Sequence, residues 1–175
     1  MIRLIAAALA CLSLAACAGG PQPSDRLGAA AELKLEAFLD GRTYAYGVFE
    51  RGGVLDRKFW VEVDGEWDGR TLTLDEHFLY DDGQTQRRIW EWTRAADGGF
   101  AGVAGDVIGT ADIDLFGDSA FFTYDVDLEL SDGDTIRVRF DDRIYAAGDE
   151  VLINRSTVKK FGLAVGQVTV VFLKN

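Results

Sequence analysis

The sequence predicts an all-β fold, and two observations support this. From Tyr44 onward, apolar and polar residues alternate along most of the chain, which is the period of a half-buried strand. Asp-Gly dipeptides recur between the alternating segments and suit tight hairpin turns, because glycine accepts the positive φ that such turns require. They lie at Asp64-Gly65, Asp68-Gly69, Asp82-Gly83, Asp97-Gly98 and Asp132-Gly133.

The predicted sheet is an antiparallel, up-and-down meander of about nine or ten strands. Parallel pairing needs crossover connections, and the short spacing of the turns leaves no room for them. The clearest strands are predicted at 120–130 and 135–145, where apolar side chains fall on every second position. A meander of this length with open edges would invite aggregation, so we expect closure into a lipocalin-like barrel.

One short helix is predicted before the strands, at 27–39. Leu27, Ala30 or Ala31, Leu35 and Phe38 recur there at helical spacing, and Gly41 is expected to end the helix. The last strand, at 165–173, is apolar on both faces. We therefore expect the helix to cover its outer face.

The N-terminus predicts export and lipidation. An apolar run at 4–16 follows Arg3 and is too short to span a bilayer. It ends in Leu14-Ala15-Ala16-Cys17, the pattern of a bacterial lipobox. The predicted organisation is a lipoprotein signal peptide at 1–16, a tether at 17–26 and one barrel domain at 27–175. Cys17 would carry the acyl chains that anchor the protein, and Ala18 after it favours the periplasmic face of the outer membrane over the inner membrane.

Composition excludes several functions. A net charge of −11 disfavours nucleic acid, which proteins bind mainly through Lys and Arg. Cys11 and Cys17 are the two cysteines and His77 is the single histidine, so the predicted mature domain has no thiolate chemistry and no Cys/His metal cluster. No motif commits the chain to a reaction or a cofactor, and we expect a monomer.

Alternation also predicts that four charged residues point inward with the apolar set: Arg57, Glu76, Arg88 and Asp142. Such charges must pair or reach water, because an unpaired buried charge is very costly. One interpretation is an internal salt-bridge network in a solid barrel. The other is a site for the polar head of an amphipathic ligand, whose tail would lie against aromatic side chains. Those side chains are Trp90, Trp92, Phe78 and Phe140, which would otherwise be ordinary core.

Short motifs in a fixed order resemble a known family. They are WDG at 67–69, LDEHF at 74–78, YDDG at 80–83, GDV at 105–107, FDDRIY at 140–145, LINR at 152–155 and KFG at 160–162. The chain resembles the bacterial lipoproteins of domain of unknown function 3833. The resemblance implies an exported, lipidated protein, and the family's frequent gene neighbours, enzymes that modify fatty acids, favour lipid handling. It also adds the motif positions Asn154 and Lys160 to the candidate site.

These observations predict a membrane-tethered lipoprotein that binds or shields a lipid or other amphipathic molecule in its barrel. The alternative is a structural or assembly lipoprotein with a solid barrel and an acidic surface for a partner. The state of the barrel interior distinguishes them, since a ligand pocket requires about 300 Å³ or more.

Overall fold

The computed structural model describes residues 32–129 and 135–174, which form one short helix followed by ten strands. The elements in chain order are α1 (Leu35–Leu39), β1 (Gly41–Arg51), β2 (Val54–Trp67), β3 (Thr71–Tyr80), β4 (Thr85–Arg94), β5 (Phe100–Ala104), β6 (Val107–Phe116), β7 (Ser119–Glu129), β8 (Thr135–Ala146), β9 (Val151–Lys160) and β10 (Leu163–Lys174).

The ten strands form a closed barrel in which each strand pairs with its neighbours in sequence. Every described pairing is antiparallel, and β1 closes the circle by pairing with β10 along Thr43↔Lys174 to Glu50↔Gln167. Closure satisfies the backbone of both terminal strands, so neither is left as an exposed edge. The predicted all-β, up-and-down, lipocalin-like barrel is confirmed.

Side-chain alternation sorts the strands into an apolar inner face and a polar outer face. On β7, Ala120, Phe122, Tyr124 and Val126 are buried, whereas Thr123 between them is exposed. The bounds of β7 and β8 agree with the predicted strands to within one residue at each end. The period-two pattern therefore identified which residues face the barrel interior.

Three of the predicted Asp-Gly turns are confirmed. Gly69, Gly83 and Gly98 have φ of 96°, 83° and 94° and lie between strands. The Asp132-Gly133 turn lies outside the described residues. The turn predicted at Asp64-Gly65 is wrong, because Gly65 lies inside β2 and pairs with Gly41 and Leu74.

Glycine is needed at position 65 because another backbone segment packs against it, and not because the chain turns there. A Cβ atom at this position would lie 1.7 Å from the carbonyl oxygen of Leu39, the last residue of α1. The helix end therefore packs directly on the backbone of β2. A local dipeptide pattern cannot distinguish this role of glycine from a turn.

Helix α1 closes one end of the barrel. Of the predicted helix at 27–39, residues 35–39 are helical and residues 32–34 are not, whereas 27–31 lie outside the described residues. Leu35, Phe38 and Leu39 are buried in the core, and the chain turns away at Gly41 with φ of 87°. The expectation that the helix covers the outer face of β10 is wrong: Leu173 on that face is 39% exposed.

Candidate functional site

The barrel encloses a cavity of about 330 Å³. This volume lies at the lower end of the range for small-molecule sites. Leu39 of α1 lines the cavity at the closed end. Arg57, Tyr80 and Gln86 line it at the opposite end, which we call the mouth, and Gln86 is exposed to solvent there. Most of the remaining lining is aliphatic or aromatic.

Five polar side chains face the cavity near the middle of two strand pairs, β3–β4 and β8–β9, which lie on opposite sides of the barrel. We call this group the polar belt: Glu76 on β3, Arg88 on β4, Asp142 on β8, and Asn154 and Ser156 on β9. Glu76 is the cross-strand partner of Arg88, and Asp142 is the partner of Ser156. Antiparallel pairing of strand centres therefore brings residues that are far apart in sequence to one level of the lumen.

Asp142 is the most deeply buried acid of the polar belt, with 2% of its surface exposed. Asn154 Nδ2 donates a hydrogen bond of 2.6 Å to Asp142 Oδ1. Burial raises the pKa of the Asp142 carboxyl to about 6, although Asn154 and the nearby hydroxyls of Tyr124 and Ser156 favour its charged form. The cost of removing the carboxylate from water is therefore the larger effect.

The pKa of the Glu76 carboxyl is raised in the same way. Burial raises the pKa of its carboxyl to about 7. The positive charge of Arg88 opposes this shift, whereas the carboxylates of Asp106 and Asp142 add to it. Near neutral pH, the Glu76 carboxyl is therefore close to half protonated and can either donate or accept a hydrogen bond.

Arg88 forms a partly buried ion pair with Asp106. Asp106 follows β5 in the short connection to β6, and the sequence analysis missed it because alternation assigns no face to a turn residue. Ser156 and the hydroxyl of Tyr124 were likewise not predicted as polar groups of the site, although both residues occupy inward positions of their strands. Arg88 is thus neutralised locally, and it does not pair mainly with the two acids of the belt.

Several buried polar atoms in the belt lack a hydrogen-bond partner within residues 32–129 and 135–174. They are Asp142 Oδ2, Asn154 Oδ1, Ser156 Oγ and Arg88 Nε. Tyr124 and Ser156 lie near the Asp142 carboxyl, but the distances and angles at Oδ2 and at the Ser156 hydroxyl do not form a hydrogen bond. Buried polar atoms in folded proteins are nearly always bonded, so these atoms are available to water or to any polar group that enters the cavity.

Aromatic side chains surround the belt. Trp90 and Trp92 are 3% and 4% exposed and line the cavity toward its closed end. The Trp90 ring meets the Tyr124 ring edge-to-face at 5.2 Å, and Tyr124 stacks on Phe140 at 5.4 Å. Both tryptophans therefore lie where the sequence analysis placed a ligand tail, and they also pack as core.

Arg57 differs from the sequence-based expectation. It lines the cavity, but its guanidinium lies at the mouth, where Nη2 donates to the Asp82 carboxylate at 2.7 and 2.8 Å. The same group lies 3.6 Å from the centre of the Tyr80 ring. All four predicted charges thus line the cavity, but only Glu76, Arg88 and Asp142 lie within it, because an acid in the adjacent turn holds the Arg57 guanidinium at the mouth.

Lys160 lies beyond the cavity. Its Nζ is 5.3 Å from the ring centre of Phe161, in the turn between β9 and β10. This turn and the one between β1 and β2 flank the mouth and expose apolar side chains. Phe161, Leu163 and Val54 are 93%, 72% and 68% exposed, and Phe161 has a positive φ of 51°, which is rare for such a residue.

The described residues contain neither a candidate metal-binding group nor a candidate membrane-spanning helix. Within these two stretches, no three His, Cys, Asp or Glu side chains are grouped so that they could hold a metal ion. The helix in the described part of the chain lacks the length and apolar character needed to cross a membrane. His77, the single histidine, lies on the outside of β3, with Nε2 3.2 Å from Asp75.

Fold and site together define a class of protein: a closed ten-stranded antiparallel β-barrel with a mostly apolar lumen and a small group of polar side chains inside it. The sequence then identifies the family. The protein-family model described as "Protein of unknown function (DUF3833)" matches residues 11–174, which is nearly the whole chain. The protein therefore belongs to this family. No curated protein is similar to it in sequence.

Proposed function

We propose that this protein is a membrane-tethered lipoprotein that binds an amphipathic small molecule, such as a lipid, inside its barrel. The observation that carries the proposal is the cavity of about 330 Å³, which combines an apolar lining with the polar belt at mid-height. Ligand sites typically combine a mostly apolar wall with a few convergent polar groups. A solid scaffold would fill this space with side chains.

The apolar lining would supply most of the affinity. Each buried methylene group contributes about 0.8 kcal/mol, so a tail of about eight methylene groups would contribute roughly 6 kcal/mol before the cost of association. The polar belt would then fix the orientation of the head group. A tail lying against Trp90 and Trp92 would occupy the closed half of the cavity.

The exposed side chains beside the mouth suggest a route of entry. Phe161, Leu163 and Val54 would form an apolar surface next to the opening. A ligand that leaves a lipid phase could pass along them with less exposure to water. An acyl anchor at Cys17 would keep the barrel near such a phase, on the periplasmic face of the outer membrane. The anchor is needed because a net charge of −11 repels anionic lipid surfaces.

The proposal is tested by native mass spectrometry of the purified full chain and of two variants. Val168→Phe places a ring in the cavity, which Val168 lines, whereas Thr169→Phe is its control on the outer face of the same strand. We expect a co-purifying small molecule on the wild type and on Thr169→Phe, and its loss from Val168→Phe. The proposal fails if the wild type neither carries such a molecule nor takes up an added long-chain amphiphile.

A further inference from the structure

We propose that the head group bound at the polar belt is a hydrogen-bond donor, a hydroxyl or an amine, and not a carboxylate or a phosphate. This inference rests on the proposed function and specifies its ligand. It follows from the charges that line the cavity and from the partners those charges already have. A negatively charged cavity would exclude the anionic amphiphiles that a lipid carrier is otherwise expected to take.

The charges on the cavity wall do not cancel. Both lining cations are already engaged by acids: Arg57 by Asp82 at the mouth and Arg88 by Asp106 at the belt. The lining acids Glu76 and Asp142 have no cation within ion-pair distance among the described residues. The lumen at the belt therefore carries excess negative charge when both acids are ionised.

The free hydrogen-bonding capacity of the belt favours the same ligand. Asp142 Oδ2 and Asn154 Oδ1 are acceptors without a partner in the described structure. Asn154 has already used its amide nitrogen to donate to Asp142. Arg88 Nε is a free donor, but an anion that approaches it would also approach the carboxylates of Asp106 and Glu76. A ligand that donates hydrogen bonds meets no such repulsion.

Discrimination against anions should depend on pH. The titratable groups that act on the two acids are Asp75 on β3, Arg88 on β4, Asp106 after β5 and Tyr124 on β7. Burial raises the pKa of Glu76 to about 7 and of Asp142 to about 6. Both acids are therefore mostly ionised at pH 8 and mostly protonated at pH 5, where an anionic head would meet hydrogen-bond donors.

The test compares three probes with the same tail: dodecylamine, dodecanol and dodecanoate. Their binding to the purified full chain, held in amphipol, is measured by calorimetry at pH 8 and pH 5, below the concentrations at which they aggregate. We expect the amine and the alcohol to bind at least about tenfold more tightly than dodecanoate at pH 8. The difference in affinity between dodecanoate and the other two probes should become smaller at pH 5.

Two variants locate the effect. Asp142→Asn should weaken dodecylamine binding and strengthen dodecanoate binding at pH 8. Asp141→Asn is the matched control, because Asp141 is its sequence neighbour on the outer face and pairs with Lys159 at 2.8 Å. It should leave the order of the three probes unchanged. If Asp142→Asn does not fold, the comparison of the three probes on the wild-type chain at pH 8 still decides the question.

The outcomes separate this inference from the proposed function. If dodecanoate binds as tightly as the other two probes at pH 8, or more tightly, the donor assignment is overturned while the ligand-binding function stands. If none of the three binds, both the function and the assignment fail.

Discussion

Replacing Glu76 with glutamine should remove a pH-dependent loss of stability. Glutamine keeps the size and most of the hydrogen bonding of the side chain but cannot ionise. The folded protein raises the pKa of Glu76 from 4.5 to about 7, mainly through burial. Each tenfold change in proton affinity corresponds to about 1.4 kcal/mol, so the ionised carboxyl lowers the free energy of unfolding by up to about 3 kcal/mol.

The direction of the effect follows from proton binding. Below pH 4.5 the carboxyl is protonated in both the folded and the unfolded chain, so pH has no influence through this group. Between pH 4.5 and pH 7 the folded chain still holds the proton that the unfolded chain has lost, and stability falls as pH rises. Above pH 7 the loss is complete. Glu76→Gln should therefore be more stable than the wild type at pH 8.5 and similar to it near pH 5.

The assay is urea denaturation followed by tryptophan fluorescence, at pH 5 and at pH 8.5. The informative quantity is the difference in unfolding free energy between variant and wild type, compared between the two pH values. The contributions of titrating groups that do not interact with Glu76 then cancel. Glu91→Gln is the matched control, because Glu91 is exposed on the outer face of the neighbouring strand β4.

The reasoning is refuted if Glu76→Gln is less stable than the wild type at pH 8.5. It is also refuted if the difference between the two proteins does not change with pH. Either result would mean that the Glu76 carboxyl is well solvated or firmly paired in the folded barrel, and that its burial costs little.

The remaining predictions concern the helix contact, the mouth and the anchor. Gly65→Ala should lower the free energy of unfolding by about 1–3 kcal/mol or more in urea denaturation, because the added methyl group would collide with the carbonyl oxygen of Leu39. Phe161→Asn combined with Leu163→Ser should slow the uptake of an amphiphile from vesicles in stopped-flow fluorescence, while calorimetry gives an unchanged affinity. Cys17→Ser should move the protein from the membrane to the soluble periplasmic fraction in cell fractionation, because it removes the proposed site of acylation.

Each of these predictions has a control and an outcome that would contradict it. Gly105→Ala places a methyl group in open space and should be nearly neutral; equal effects at the two glycines would contradict the close-approach argument. Ile89→Ser, also on an exposed apolar side chain, should not slow uptake, and an affinity loss in the Phe161/Leu163 variant would place those residues in the site itself. Cys11→Ser should stay at the membrane, and a membrane-bound Cys17→Ser would mean that the anchor lies elsewhere.

Local sequence patterns were sufficient for the strands and for the direction of their side chains. Residues two apart on a strand share a face, so the inward positions of Glu76, Arg88 and Asp142 followed from their neighbours. The same patterns were insufficient wherever the role of a residue depends on a contact with a residue distant in sequence. The dipeptide at Gly65 has the sequence of a turn, and only the structure shows that Leu39 packs on it. Arg57 occupies an inward position of its strand, and only the structure shows that Asp82 holds its guanidinium at the mouth.

The sequence by itself thus determined an all-antiparallel sheet with particular charges on its inner face, because backbone alternation and turn chemistry are local properties. Only the tertiary structure decided that the barrel contains a cavity of about 330 Å³ and that Asp106 neutralises Arg88. Both depend on how ten inner faces meet around a common axis. The space left between side chains and the distance between two charges are properties of that assembly, and no single strand contains them.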